Sequence, residues 1–259
     1  MRIAAGDGAQ LFVADEGPRD APAVVLLHSI GCGHGMWAPQ LPSLASWRVI
    51  RPDIRGHGHS DAPDSDYPLD RLAADVEDVL AALGVERAVV CGLSLGGAVA
   101  QALALRAPAR VAGLVLANTA ARIGSAEAWE QRAAAVRAEG LAAIAGMAMG
   151  RFFSDAFRAA RPDVVDGFRD ALLATSAVGY AGCCAALRDA DLTGDVGRIA
   201  APTLVIGGAL DVSTPPAQTR ALAGAIPGAV HLELDAAHLS NIEQPQAFAA
   251  ALVQHLESC

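Results

Sequence analysis

The chain has 259 residues, 53% of them hydrophobic, long enough for one large folded unit with a sizeable core. It carries 19 basic and 28 acidic residues for a net charge of −9, and every basic residue is an arginine because the sequence holds no lysine. This balance argues against a nucleic-acid partner, the composition excludes collagen, coiled-coil and disordered classes, and individual arginines are left as the only fixed cations for gripping an anionic ligand.

In chain order, short apolar runs rich in β-branched residues alternate with alanine-rich helical patterns, as in a mainly parallel sheet with crossover helices. Residues 23–28, 47–52, 88–92, 111–118, 202–207 and 230–234 read as strands, with 10–14 as a possible antiparallel edge. Helices are predicted over 69–83, 96–106, 216–225 and 245–257 from apolar i, i+3, i+4 spacing. Residues 88–105 contain only Ser94 and Gln101 as polar side chains and reach the length of a membrane span. Gly92, Gly96 and Gly97 in their middle point instead to a buried strand, a tight turn and a buried helix, so no membrane partner is expected.

About 80 residues separate the strand ending near 118 from the one starting near 202, far more than one crossover needs. Predicted helices at 126–139, 141–149 and 164–174 make this an inserted helical cap. The expected organisation is one unit, with the core at 1–120 and 193–259 and the cap at about 121–192.

Gly92-Leu93-Ser94-Leu95-Gly96 fits G-x-S-x-G, entered by a strand and left by a helix, the setting of a nucleophile elbow. The alternative is an ordinary packed serine in a glycine-rich turn. A serine nucleophile needs a histidine base oriented by a carboxylate. Asp211 stands three residues past the strand beginning at Pro202, in a loop at the carboxyl edge of the sheet, and His238 follows the last strand by four residues. Asp235 is the rival acid, but it sits too close to His238 to come from a different strand end. Backbone donors for an oxyanion are expected from Leu95, at the start of the helix, and from Ile30, in the loop after the first parallel strand. His28 reads as a brace for that loop, and His57 and His59, in the glycine-rich turn 53–60, as structural or exposed.

Five cysteines without a C-x-x-C pair suggest neither a disulfide framework nor a zinc site, and the adjacent Cys183 and Cys184 read as packing thiols. Neither a phosphate-binding G-x-x-x-x-G-K-[ST] loop nor a dinucleotide fingerprint is present. No metal or cofactor is therefore expected. Residues 1–17 lack the apolar region of a secretory signal, and a reducing cytoplasm fits the cysteine usage.

With these residues the sequence resembles the α/β-hydrolase family along nearly its whole length. More specific pieces, 117–124, Trp129, Arg132, 179–183, 187–191 and 236–241, resemble 3-oxoadipate enol-lactonases, which act in bacterial aromatic catabolism by the β-ketoadipate route. The resemblance implies hydrolysis of a small anionic enol-lactone by Ser94, His238 and Asp211. Other esterases, carbon-carbon hydrolases, haloperoxidase-like enzymes and ligand receptors share the scaffold. In the predicted helix 126–139, Trp129, Arg132, Ala133 and Val136 fall on one face. Arg132 then either snorkels to water or pairs with a structural acid, or it faces the cap pocket and grips the lactone carboxylate with Trp129 as a wall. Arg122 is the second candidate for that grip.

Overall fold

A computed structural model describes residues Met1–Cys259. Eight strands form one sheet: β1 (Arg2–Ala4), β2 (Gln10–Glu16), β3 (Ala23–Leu27), β4 (Arg48–Pro52), β5 (Ala88–Leu93), β6 (Val111–Ala117), β7 (Thr203–Gly208) and β8 (Val230–Leu234). Their spatial order is β1-β2-β4-β3-β5-β6-β7-β8. The pairings β1 with β2 and β2 with β4 are antiparallel, and those from β4 through β8 are parallel. The central strands β3 and β5 are buried along their whole length, which is why they read as unbroken apolar runs and not as alternating ones.

Helices α1 (Leu69–Ala82), α2 (Leu95–Arg106), α8 (Pro216–Ala225), α9 (Ser240–Glu243) and α10 (Pro245–Ser258) belong to the sheet layers. Between β6 and β7 run five more: α3 (Ala126–Glu139), α4 (Ala142–Phe152), α5 (Asp155–Ala160), α6 (Pro162–Leu173) and α7 (Ala177–Asp189). Serine side chains start three of them. Ser125, Ser154 and Ser176 accept from the amides of Ala128, Phe157 and Gly179 at 3.2 Å each, satisfying donors that a helix end leaves free.

Several elements differ from the sequence expectation. The run at 10–14 is antiparallel but not an edge, because β1 pairs outside it through Ile3 and Leu11. Strand β1 and helices α5, α7 and α9 lie outside the elements the sequence predicts. The suspect apolar stretch 88–105 is β5, the turn and α2, all in the core, and no single helix is long and apolar enough to cross a membrane.

Cap and core meet backbone to backbone. Gly56, in the loop after β4, lies against Gly179 in the first turn of α7, where a Cβ on Gly179 would stand 2.3 Å from the Gly56 Cα. Any side chain at either position forces the two segments apart.

Candidate active site

Strand β5 hands over to α2 at Ser94, whose φ of 57° and ψ of −115° put a non-glycine residue in a strained conformation. Such a backbone costs on the order of 1–3 kcal/mol and persists only where its surroundings enforce it. Here the Ser94 amide donates to the Ala117 carbonyl at 3.0 Å, and Thr119 Oγ1 donates to the Ser94 carbonyl at 2.9 Å. The turn closes because its flanks are glycine: a Cβ on Gly92 would meet the Gly96 carbonyl at 2.2 Å, and one on Gly96 the Leu27 carbonyl at 2.2 Å.

Asp211 follows β7 and His238 follows β8, so parallel neighbours deliver both to one sheet end. Asp211 Oδ2 receives His238 Nδ1 at 2.8 Å. The same oxygen accepts from the Asn118 amide at 3.0 Å and the Thr214 hydroxyl at 2.7 Å, while Oδ1 accepts from the Ser213 and Thr214 amides at 2.7 and 3.1 Å. Burial alone would raise the Asp211 carboxyl, but the facing His238 ring, the Asn118 amide and the Thr214 hydroxyl outweigh it and hold the acid at about 2. With Nδ1 committed to Asp211, the ring presents Nε2, which has no protein partner, to the pocket it lines with Ser94. Asp235 is exposed and its carboxylate receives no hydrogen bond, so the rival acid is not in the constellation.

Ile30 lines the same pocket. Its peptide is aimed from behind: the Ser29 carbonyl accepts from His28 Nδ1 at 2.8 Å and from the Cys32 amide at 3.1 Å, which turns the Ile30 N–H of that trans peptide the opposite way. The Ile30 N–H has no protein acceptor, and the Leu95 N–H, in the first turn of α2, has no intrahelical one. His28 also accepts from the Ile54 amide at 2.8 Å, and His57 from the Gly31 amide at 2.9 Å, so both histidines brace the loop. Cys183 and Cys184 are free, fully buried thiols.

The cap closes the pocket with α3 and α4. Trp129 is buried and donates its indole N–H to the Ile123 carbonyl at 2.6 Å. Arg132 lies over that indole, 4.4 Å from the ring centroid, and pairs with no carboxylate; it donates to Met147 Sδ at 3.5 Å and stands beside the buried Tyr180 hydroxyl. Phe152 stacks on the His238 ring at 6.3 Å between centroids and 16° between planes. Arg122 is misplaced by the sequence reading. It is exposed, pairs with Asp191 at 3.1 Å and does not line the pocket, because the turn before α3 brings it to the 190–193 segment. Sequence reasoning missed Asn118, Thr214, Phe152 and Arg151, which reach the site only through the packing of separate elements. A wider cavity of about 350 Å³ under α6, lined by Cys32, His34, His59 and Phe168 among others, contains none of Ser94, Asp211 and His238.

A family profile described as the alpha/beta hydrolase fold matches residues 22–245. The chain is 41% identical over 239 residues to 3-oxoadipate enol-lactonase 2 of Acinetobacter baylyi, covering 92% of this chain and 90% of that one. It is 40% identical over 242 residues to enol-lactonase 1 of the same organism, covering 93% and 91%. The crystal structure of the enol-lactonase from Burkholderia xenovorans LB400 superposes with a TM-score of 0.97 at 42% identity, over 99% of this chain and 100% of that one. A thermophilic esterase from Thermogutta terrifontis, solved with malate bound, superposes with a TM-score of 0.94 at 31% identity, over 100% and 98%. On the strained serine turn, the sheet and this likeness along nearly the whole chain, the protein belongs to the α/β hydrolase family.

Proposed function

We propose that this chain hydrolyses 3-oxoadipate enol-lactone to 3-oxoadipate through an acyl-enzyme, as a soluble cytoplasmic enzyme of aromatic catabolism that acts on a small anionic substrate. The observation that carries the reading is the meeting, on one pocket, of Ser94, the Asp211-bound His238 and an arginine, Arg132, that no carboxylate neutralises. Likeness to enol-lactonases at 40–41% identity supports it.

In this mechanism the core, 1–120 and 193–259, supplies the chemistry and the cap, 121–192, the recognition. Ser94 Oγ attacks the ring carbonyl while His238 Nε2 takes its proton, and Asp211 stabilises the resulting imidazolium. The oxyanion lies between the Ile30 and Leu95 amides. Collapse breaks the acyl–oxygen bond of the ring and expels an enolate, a better leaving group than an alkoxide, which takes the proton back and ketonises. Water, deprotonated by His238, then attacks the acyl-enzyme and returns Ser94 as the free hydroxyl. These steps draw on protein groups and water alone. Arg132, backed by Trp129, holds the side-chain carboxylate of the lactone in ground and transition states alike.

The test is to incubate the purified protein with freshly generated enol-lactone beside a panel of neutral esters. The expected result is a kcat/KM for the lactone well above that for every ester. A preference for neutral esters would move the assignment to a carboxylesterase.

A further inference from the structure

Arginine pairing in this protein is nearly complete. The arginines without a carboxylate partner are Arg87, Arg110, Arg132 and Arg151. Arg87 and Arg110 donate to main-chain carbonyls of Val111 and Val85. Arg151 makes neither an ion pair nor a hydrogen bond, and with Arg132 it lines the pocket that holds Ser94 and His238. In a chain with 28 acidic residues, two neighbouring guanidiniums on one pocket wall form a cationic spot that no carboxylate of the protein neutralises.

Helix α4 puts Arg151 there by its periodicity. Ala148, Arg151 and Phe152 stand at i, i+3 and i+4 and all line the pocket, and Phe152 is the residue stacked on His238. Arg132 comes from α3, so the two cations approach from different helices. Their proximity carries a cost: partial withdrawal from water first, and the Arg132 charge second, push the Arg151 guanidinium below its ordinary value. An anion between two like charges relieves that repulsion, so it binds more tightly than either arginine alone would hold it.

We infer that Arg151 is a specificity-determining residue, the second guanidinium of a two-arginine carboxylate site that makes this pocket select anionic over neutral acyl substrates. The inference rests on the lactonase reading for the identity of the substrate, and on the unpaired guanidiniums alone for its charge. A uniform grip on the carboxylate appears in KM and leaves kcat in place, because the contact is the same before and during acyl transfer. Since both arginines share one anion, removing the second costs less once the first is gone.

The experiment uses Arg151→Gln, Arg151→Lys, Arg132→Gln and the double glutamine variant. Arg151 makes no hydrogen bond or ion pair within the protein, so its variants are expected to retain the fold, which a melting curve checks. Arg151→Gln is expected to raise KM for the anionic lactone by about tenfold with kcat nearly unchanged, and Arg151→Lys to recover part of that loss. The double variant is expected to fall short of the product of the single effects. Calorimetric titration with malate, which needs no turnover, is expected to show binding by the wild-type protein and about tenfold weaker binding by Arg151→Gln. Equal malate binding by both proteins, no malate binding by the wild type, or equal losses on the lactone and a neutral ester would each overturn the inference. Failure of the wild type to turn over the lactone would remove the lactonase reading, while the malate titration still decides the role of Arg151.

Discussion

The Asn118 amide nitrogen lies 3.0 Å from Asp211 Oδ2, the oxygen that also receives the His238 ring. Asn118 is fully buried, sits at φ 44° at the end of β6, and is locked in its turn by the Ser240 hydroxyl, which donates to its side-chain oxygen at 2.5 Å. The amide therefore fixes which way the acid faces the ring. Asn118→Ala is expected to lower kcat by about ten- to a hundredfold with little change in KM, because a buried hydrogen bond to a charged group is worth roughly 1.5–3 kcal/mol. Ser240→Ala, one bond further out, is expected to lose less. Steady-state kinetics beside a melting curve separates the effect from unfolding, and an unchanged kcat in Asn118→Ala would show the amide to be dispensable.

Replacing Ser94 by alanine removes the nucleophile and leaves the amides of Ile30 and Leu95 in place. The variant is expected to fold and bind substrate while losing nearly all hydrolysis, the remainder reflecting oxyanion and binding effects. Alanine carries the same Cβ, so the strain of the turn is unchanged and the variant's stability is expected to stay close to wild type. Near-normal turnover would end the serine mechanism.

Asp211→Asn keeps the shape of the acid and removes its charge, so the imidazolium of His238 loses its counter-charge. A loss of several orders of magnitude in kcat is expected, against no change for Asp235→Asn, whose parent carboxylate is exposed and makes no hydrogen bond or ion pair. The reverse pattern would reassign the acid.

Stability should fall with acid in a window set by His57. Burial first and the His28 charge second push its ring down to about 3, against about 6.5 in the unfolded chain. Between those values the unfolded state binds a proton that the native state refuses, so stability rises with pH there and the penalty vanishes above about 6.5. At pH 5 the cost is about 2 kcal/mol relative to pH 7. His57→Gln, whose side-chain oxygen can still accept from Gly31, should lose that part of the acid sensitivity. Denaturant melts of both proteins at pH 7 and pH 5 check this, and a stability gap that is the same at both pH values would refute it.

Much of the core could be read from the sequence because its signals are local. The apolar run Val24–Leu27, the glycines around Ser94 and the chain order of Asp211 and His238 each announce themselves within a few residues. Helix α3 was legible to the residue, and its i, i+3, i+4 face correctly joined Trp129 to Arg132. Helix α7 was not, because from Gly179 to Leu187 it is buried on every side and shows no amphipathic period. Strand β1 has three residues and a single buried one, too few for a pattern. Asn118 reads as the last residue of a strand, and Arg151 falls just past the predicted helix 141–149. Their roles depend on which strand or helix comes to lie beside them. The same holds for Arg122, whose pairing with Asp191 spans 69 residues.

The contact of Gly56 with Gly179 sets a ceiling on substrate size. With the two backbones touching, α7 sits directly on the core, and α3 packs along α7. The far end of α4 is stitched down as well, through the Leu239 amide on the Phe152 carbonyl at 2.9 Å and through Ser154, which donates to Glu243 at 2.7 and 2.9 Å. An insertion fastened at both ends does not swing open as a door. With the helices held, the adjustment expected on ligand exchange is in exposed side chains of the pocket wall such as Arg151, which would favour a small ring with a short acidic arm over long-chain esters.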